Sequence, residues 1–173
     1  MLTAIRLTTA ADVSRLPDVE RSSASAFLTQ PDLAWIAEDR VLSEAQHLGF
    51  IATGMHWVAV DAEDGPVGFL AAERFGAELH IWELSVRRER QGRGIGRRLL
   101  AEACAAAEGM GLAVATLTTF RDVPWNAPFY AKVGFTLVED EALDERLARV
   151  LAYERELGLP GERRCAMRCE FAR

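Results

Sequence analysis

Three glycines at alternate positions, Gly92, Gly94 and Gly96, lie inside the stretch RRERQGRGIGRR at residues 87–98. A turn without side chains presents successive backbone N–H groups, and a helix starting directly after it adds its dipole to their preference for an anion. The residue types therefore point to a phosphate or pyrophosphate held by main chain. Six arginines and one glutamate give this stretch a local balance of +5 in a chain of net charge −6, so everything outside it carries −11. A basic island on an acidic body suits one compact anion, such as a cofactor with a pyrophosphate and a ribose phosphate. It argues against a long nucleic-acid track. Arg93 and Arg97 are the arginines expected nearest the phosphates, and several of the others read as ordinary solvated side chains.

Two other phosphate loops fail on spacing. A GxGxxG pattern started at Gly92 meets Arg97 at its last position, and one started at Gly94 meets Leu99. The Walker A pattern has neither its GK[ST] ending nor a nearby lysine. Metal chemistry is not expected either, because no CxxC and no His/Cys ligand spacing occurs. Cys104 falls in an alanine-rich helical pattern. Cys165 and Cys169 share one strand at roughly 13 Å, too far apart for a disulfide, and the cysteines read as small apolar groups.

The elements that must position the turn follow from punctuation and periodicity. AIRLTTAAD at residues 4–12 reads as a first strand feeding a helix through Val13, Leu16, Val19 and Glu20, with Pro17 tolerated in its first turn. PDLAWIAEDRVLSEAQHLG is expected to be one second helix ending at Gly49. Residues 56–86 contain three strand-like runs separated by Glu63-Asp64-Gly65 and by Phe75-Gly76, an antiparallel meander. The glycine turn comes next, then a helix of strong formers to Gly109, and LAVATLTTF as a buried strand. A short helix at NAPFYAKVGF, a strand, an amphipathic helix stopped by Gly158 and Pro160, and a half-buried last strand complete the order β-α-α-β-β-β-α-β-α-β-α-β. At 173 residues, half of them hydrophobic, this is expected to be one α/β domain spanning residues 1–173. The run Ala45–Val60 is too short and too polar to span a bilayer, and the start lacks a signal pattern, so a cytoplasmic protein without membrane contact is expected.

Gln91-x-x-Gly94-x-Gly96 resembles the acetyl-CoA signature of the GNAT superfamily of N-acetyltransferases, Q/R-x-x-G-x-G/A between a fourth strand and the next helix. Asn126, Phe129-Tyr130 and Gly134-Phe135 resemble that family's downstream block, although the alanine after the asparagine is shifted to Ala127 and Pro128 is unusual. The two motifs cover Leu79 to Phe135. The resemblance implies a mixed, mostly antiparallel, twisted sheet flanked by helices, with a V-shaped splay between strands 4 and 5 where pantetheine lies. It further implies that main chain of Leu84, Ser85 and Val86 bonds the cofactor, that N–H groups across Gln91, Gly92, Arg93, Gly94, Ile95 and Gly96 hold the pyrophosphate with Arg97 near its phosphates, and that Asn126 touches the pantetheine arm.

Acetyl transfer to an amine needs the amine neutral, and an alkylamine titrates near roughly 10.4. A general base is therefore useful. Glu83 is the first candidate, on the strand entering the turn and on the face of Leu79, Ile81 and Ser85; Glu73, Glu78, His80 and Asp122 are fallbacks. Tyr130 matches the family's general-acid tyrosine and would protonate the departing thiolate. The acidic remainder favours a cationic small-molecule primary amine as acceptor, and the resemblance implies that this amine attacks acetyl-CoA directly in a ternary complex, with no metal. A protein or peptide acceptor and a non-catalytic acyl-CoA sensor are the alternatives. Nucleic acid is not an expected partner, and the reading leaves room for a homodimer.

Overall fold

The computed structural model of the protein describes residues 4–63 and 65–171, so Asp64 of the first expected hairpin turn lies outside the described residues. In chain order the elements are β1 (Ala4–Leu7), α1 (Leu16–Ala24), α2 (Glu44–Ala52), β2 (His56–Asp61), β3 (Gly65–Phe75), β4 (Glu78–Val86), α3 (Ile95–Gly109), β5 (Val114–Phe120), α4 (Ala127–Lys132), β6 (Thr136–Val138), α5 (Glu145–Glu156) and β7 (Arg164–Glu170). This is the order expected from the sequence. The strands are hydrogen-bonded in the order β1-β2-β3-β4-β5-β7-β6, mostly antiparallel, with β4 and β5 parallel. Contacts divide the chain into two compact units, one of Met1–Glu73 with Trp82–Ala106 and one of Arg74–Ile81 with Ala107–Arg173.

In the first unit, β1 pairs with β2 from Ala4↔Val60 to Leu7↔Trp57, and β2 pairs with β3 across a bulge at Ala59/Val60. Leu16 and Val19 of α1 pack on Val58, Phe69 and Ala71, all fully buried. The i, i+3 spacing of the two helix residues puts them on one face. Entry to this helical segment is fixed by Asp12, whose carboxylate takes two 2.8 Å bonds from Arg6 and one at 2.9 Å from the Thr9 N–H. The Arg6 guanidinium, helped by Thr9, holds that carboxyl down at about 2 against the opposing effect of burial.

The expected second helix is not continuous. Pro31–Glu38 forms a 3₁₀ stretch, the chain extends at Asp39, and α2 begins only after Ser43. A capping box stands at that point: the Ser43 hydroxyl accepts from Gln46 N–H at 3.3 Å, and Gln46 Oε1 accepts from Ser43 N–H at 2.9 Å. Gly49 lies inside α2, which runs on to Ala52.

In the second unit, the start of β4 pairs in parallel with β5 from Glu78↔Val114 to Ile81↔Leu117, and β5 and β6 both pair antiparallel with β7. Helix α5 is capped by Asp144, whose carboxylate accepts from Leu147 N–H at 2.7 Å, and it packs on β5 and β7. Among the described residues, Cys104, Cys165 and Cys169 form no disulfide. Among the described residues, no helix is long and apolar enough to cross a membrane.

Candidate active site

The glycine turn belongs to the first unit. Residues Arg88–Arg90 make one 3₁₀ turn, and Gln91, just past it, reaches back so that its Nε2 donates to the Val86 carbonyl at 3.0 Å. Its Oε1 accepts from Arg88 at 3.1 Å. The glutamine of the signature is thus a strap between the end of β4 and the turn. Gly92 and Gly94 follow with φ of 74° and 78°, the left-handed region that L side chains rarely adopt. Neither would meet another atom within 4 Å of an added Cβ, so the requirement for glycine is torsional and the space over the turn is open. Ile95, buried, opens the fifteen-residue α3, whose first N–H groups have no carbonyl one turn back to bond.

Gly68 of β3 serves the same corner in another way. A Cβ there would stand 3.0 Å from the Ser85 carbonyl, 3.2 Å from Val86 Cγ2 and 3.4 Å from Ile95 Cγ2. Its missing side chain is what lets the end of β4 and the start of α3 close against β3. The sequence reading passed over it because a lone glycine in a strand carries no sign of which backbone approaches.

The arginines sort by engagement. Arg87 donates to the Pro66 carbonyl at 3.2 Å, Arg88 is tied to Gln91, and Arg90 meets Asp61 at 3.3 Å. Arg93 and Arg97, flanking Gly94–Gly96, are exposed. Helix α1 is pinned to the same corner, since Ser22 Oγ accepts from the Arg88 N–H at 3.0 Å and donates to Glu89 at 3.3 Å.

Glu83 sits half-buried near the end of β4, and its Oε1 accepts from Ser85 Oγ at 2.7 Å. Ser85 is 2% exposed, so this bond fixes one carboxylate oxygen from a rigid position. Glu83 acts in turn on a second carboxylate. Glu20 of α1 is also half-buried and takes a 2.9 Å bond from the Leu42 N–H. Burial, and next the charge of Glu83, push the Glu20 carboxyl up to about 8, against the opposing pull of the Leu42 N–H and Arg21. No role was expected for Glu20, yet a signal was present: it stands four residues after Leu16, a carboxylate in an otherwise apolar helical stripe.

Asn126 and Tyr130 belong to the second unit. The Asn126 carbonyl accepts from Phe129 N–H at 2.8 Å and from Tyr130 N–H at 3.0 Å, which starts α4. Its Oδ1 is buried and has no hydrogen-bond partner among the described residues, so it can accept from a ligand amide N–H. Tyr130 is 8% exposed and meets Phe129 and Phe135 edge-on, with ring centroids 5.2 and 5.7 Å away. The fallback candidates have structural partners: Glu73 accepts from the Trp82 indole at 2.9 Å, Glu78 pairs with Arg146 at 2.5 Å, Asp122 pairs with Arg163 at 3.0 Å, and His80 Nδ1 lies 3.0 Å from Thr116 Oγ1.

Residues 52–137 match the family model described as the acetyltransferase (GNAT) domain. Among solved structures, the chain is similar to PaiA N-acetyltransferase from Thermoplasma acidophilum in complex with coenzyme A, at 22% identity and a TM-score of 0.71 over 99% of this chain and 100% of that one. N-acetylglutamate synthase from Neisseria gonorrhoeae, complexed with coenzyme A and N-acetyl-glutamate, matches at 18% identity and a TM-score of 0.72, covering 100% of this chain and 36% of that one. The ribosomal-protein-S18-alanine N-acetyltransferase from Escherichia coli matches at 13% identity and a TM-score of 0.64, covering 99% and 96%. At these identities the structural likenesses establish the fold.

Proposed function

This chain belongs to the GNAT family of acetyltransferases, and from that premise we propose that it moves an acetyl group from acetyl-CoA to a primary amine of a small molecule, by direct attack in a ternary complex. The observation that carries the reading is the turn Gln91–Gly96, strapped to Val86 and left-handed at Gly92 and Gly94, at the start of a long helix. Backbone N–H groups from Gln91 to Gly96 bind the pyrophosphate, with Arg93 and Arg97 beside it. Main chain of Leu84, Ser85 and Val86 takes the pantetheine, and the buried Oδ1 of Asn126 accepts one of its amide N–H groups.

When bound, acetyl-CoA supplies an electrophilic thioester carbonyl and a sulfur leaving group. An ammonium has no lone pair, so Glu83 takes one proton from the acceptor, its Oε1 held by Ser85. The nitrogen loses its second proton to solvent after the C–N bond forms. Tyr130 donates a proton to the departing sulfur, and a backbone N–H at the end of β4 receives the negative charge on the carbonyl oxygen. The acidic character of the chain outside the arginine-rich stretch supports a cationic acceptor. The choice of a small cationic acceptor rests on this charge.

The test is a thiol-release screen with acetyl-CoA against polyamines, amino acids, aminoglycosides and amino-terminal peptides, beside calorimetric titration of the cofactor. Release that saturates with a small cationic amine is the expected result. Release with peptides alone moves the assignment to protein acetylation, and cofactor binding with no release across the panel favours a sensor.

A further inference from the structure

The glycine turn has open space over it, so its shape depends on what holds its two ends. An added Cβ at Gly92 or Gly94 would meet no atom within 4 Å, and both residues stand at left-handed φ. At the far end the chain enters α3, where the buried Ile95 fixes the first helical residue. At the near end, residues 87–91 are tied to three strands. Arg87 N–H donates to the Val67 carbonyl at 2.9 Å and its side chain to the Pro66 carbonyl at 3.2 Å, both on β3. Arg90 meets Asp61 of β2 at 3.3 Å, and Gln91 bonds the Val86 carbonyl of β4 at 3.0 Å.

Ser22 adds a tie of another kind, from a helix of the same unit. Leu16 and Val19 of α1 are fully buried against Val58, Phe69 and Ala71, and Ser22 stands three residues past Val19 on the same stripe, half-buried. The Ser25 hydroxyl closes the end of the helix by donating to the Ser22 carbonyl at 2.7 Å. From that position Ser22 Oγ accepts from Arg88 N–H at 3.0 Å and donates to a Glu89 carboxylate oxygen at 3.3 Å. A hydroxyl has one proton and two lone pairs, so it does both at once. Arg88 carries the contact onward, its guanidinium donating to Gln91 Oε1 at 3.1 Å. A chain of bonds thus runs from the core stripe of α1 to the first residue of the turn. Glu89, the other partner of the hydroxyl, is the only acid among the six arginines of residues 87–98.

We propose that Ser22 is a positioning residue for the cofactor phosphates: through Arg88 and Glu89 it holds the entry of the turn in its binding shape, and so sets the affinity for the nucleotide part of acetyl-CoA. The proposal rests on the acetyltransferase reading and adds a residue from outside both signature motifs. Its physical basis is pre-organisation. Main-chain N–H groups bind an anion best when they already converge, because a loose turn has to be ordered at the moment of binding. Without the hydroxyl, Arg88 N–H loses its acceptor, Glu89 loses its donor, and residues 87–91 are left with their ties to the sheet.

The experiment compares the full chain with Ser22→Ala and Ser22→Thr by calorimetric titration with acetyl-CoA and with S-acetylpantetheine, and by amide hydrogen exchange at Arg88 without ligand. Ser22→Ala should weaken acetyl-CoA binding by roughly threefold to tenfold, the range for loss of one hydrogen bond. It should leave S-acetylpantetheine affinity unchanged and speed exchange of the Arg88 N–H. In turnover, KM for acetyl-CoA should rise while kcat stays the same. Ser22→Thr keeps the hydroxyl and should restore all three. Equal acetyl-CoA affinity in wild type and Ser22→Ala overturns the proposal, and so does an equal loss for both ligands, which would make Ser22 a contact of the fold alone. A wild-type protein that binds the two ligands equally would remove the phosphate reading of the turn, and the proposal with it. That outcome is told from the others because it needs no variant.

Discussion

Two polar clusters, one in each unit, solve opposite electrostatic problems. In the second unit, Arg146 of α5 donates to Glu78 at 2.5 Å and to Thr116 at 3.0 Å and lies 4.7 Å from the centre of the Phe75 ring. Opposite charges meet there, and nearby His80 stays neutral, its imidazole pushed down to about 3 by burial and then by Arg146. In the first unit, Glu20 and Glu83 set like charges against each other, and burial drives Glu20 up to about 8. Breaking a compensated pair leaves a charge without its partner, whereas like charges set together out of water cost stability whenever both are ionised. The difference separates a cluster whose charges offset one another from one whose charges add.

The largest expected effect falls on the glycine turn. Gly94→Glu sets a carboxylate in the turn proposed to hold the pyrophosphate and forces a side chain onto a φ of 78°; calorimetry should show acetyl-CoA affinity reduced by at least about a hundredfold. An unchanged dissociation constant would remove the turn from the site. Tyr130→Phe should slow acceptor-dependent thiol release by about ten- to a hundredfold while sparing cofactor affinity, which is what loss of a general acid produces. Wild-type turnover in that variant would take Tyr130 out of the mechanism.

The next two predictions act on the two clusters directly. Arg146→Met leaves Glu78 without its cation. Because the pair is 22% and 29% exposed, the cost should be about 2 kcal/mol in urea unfolding, below that of a fully buried pair. Glu20→Gln should leave stability at pH 5 nearly unchanged and raise it at pH 8. The sign follows from a folded-state value of about 8 against an ordinary 4.5. Between those values the folded protein binds the extra proton, so the stabilisation is complete below about 4.5 and is lost as pH rises through 8. The histidines give the reverse slope. His47 and His56, pushed down to about 4 and about 3 mainly by burial, lose stabilisation as pH falls from 6.5 toward those values. A stability profile identical in wild type and Glu20→Gln from pH 5 to 8 would erase the distinction between the two clusters.

The sequence made the element order and the glycine turn legible because both rest on local signals. Alternating glycines before a helical pattern fix a turn whatever packs on it, and Gly92 and Gly94 do adopt the left-handed torsions such a turn needs. The break between residues 38 and 44 was also written locally, in the capping box Ser43-x-x-Gln46, but the apolar spacing on either side reads as one helix unless that box is given priority. Glu20 and Gly68 were harder to find. Each acts through a neighbour far along the chain, Glu83 for one and Ser85 with Ile95 for the other. No spacing rule reaches across that separation, and only the folded packing of α1 and β3 assigns them a purpose.

The measurement that tests the central claim most directly is calorimetric titration of the full chain with acetyl-CoA beside S-acetylpantetheine. The two ligands share the thioester and differ in the nucleotide and its phosphates. If the turn Gln91–Gly96 with Arg93 and Arg97 holds those phosphates, S-acetylpantetheine should bind at least about a hundredfold more weakly, and added salt should narrow the gap. Equal affinity for the two ligands would contradict the account.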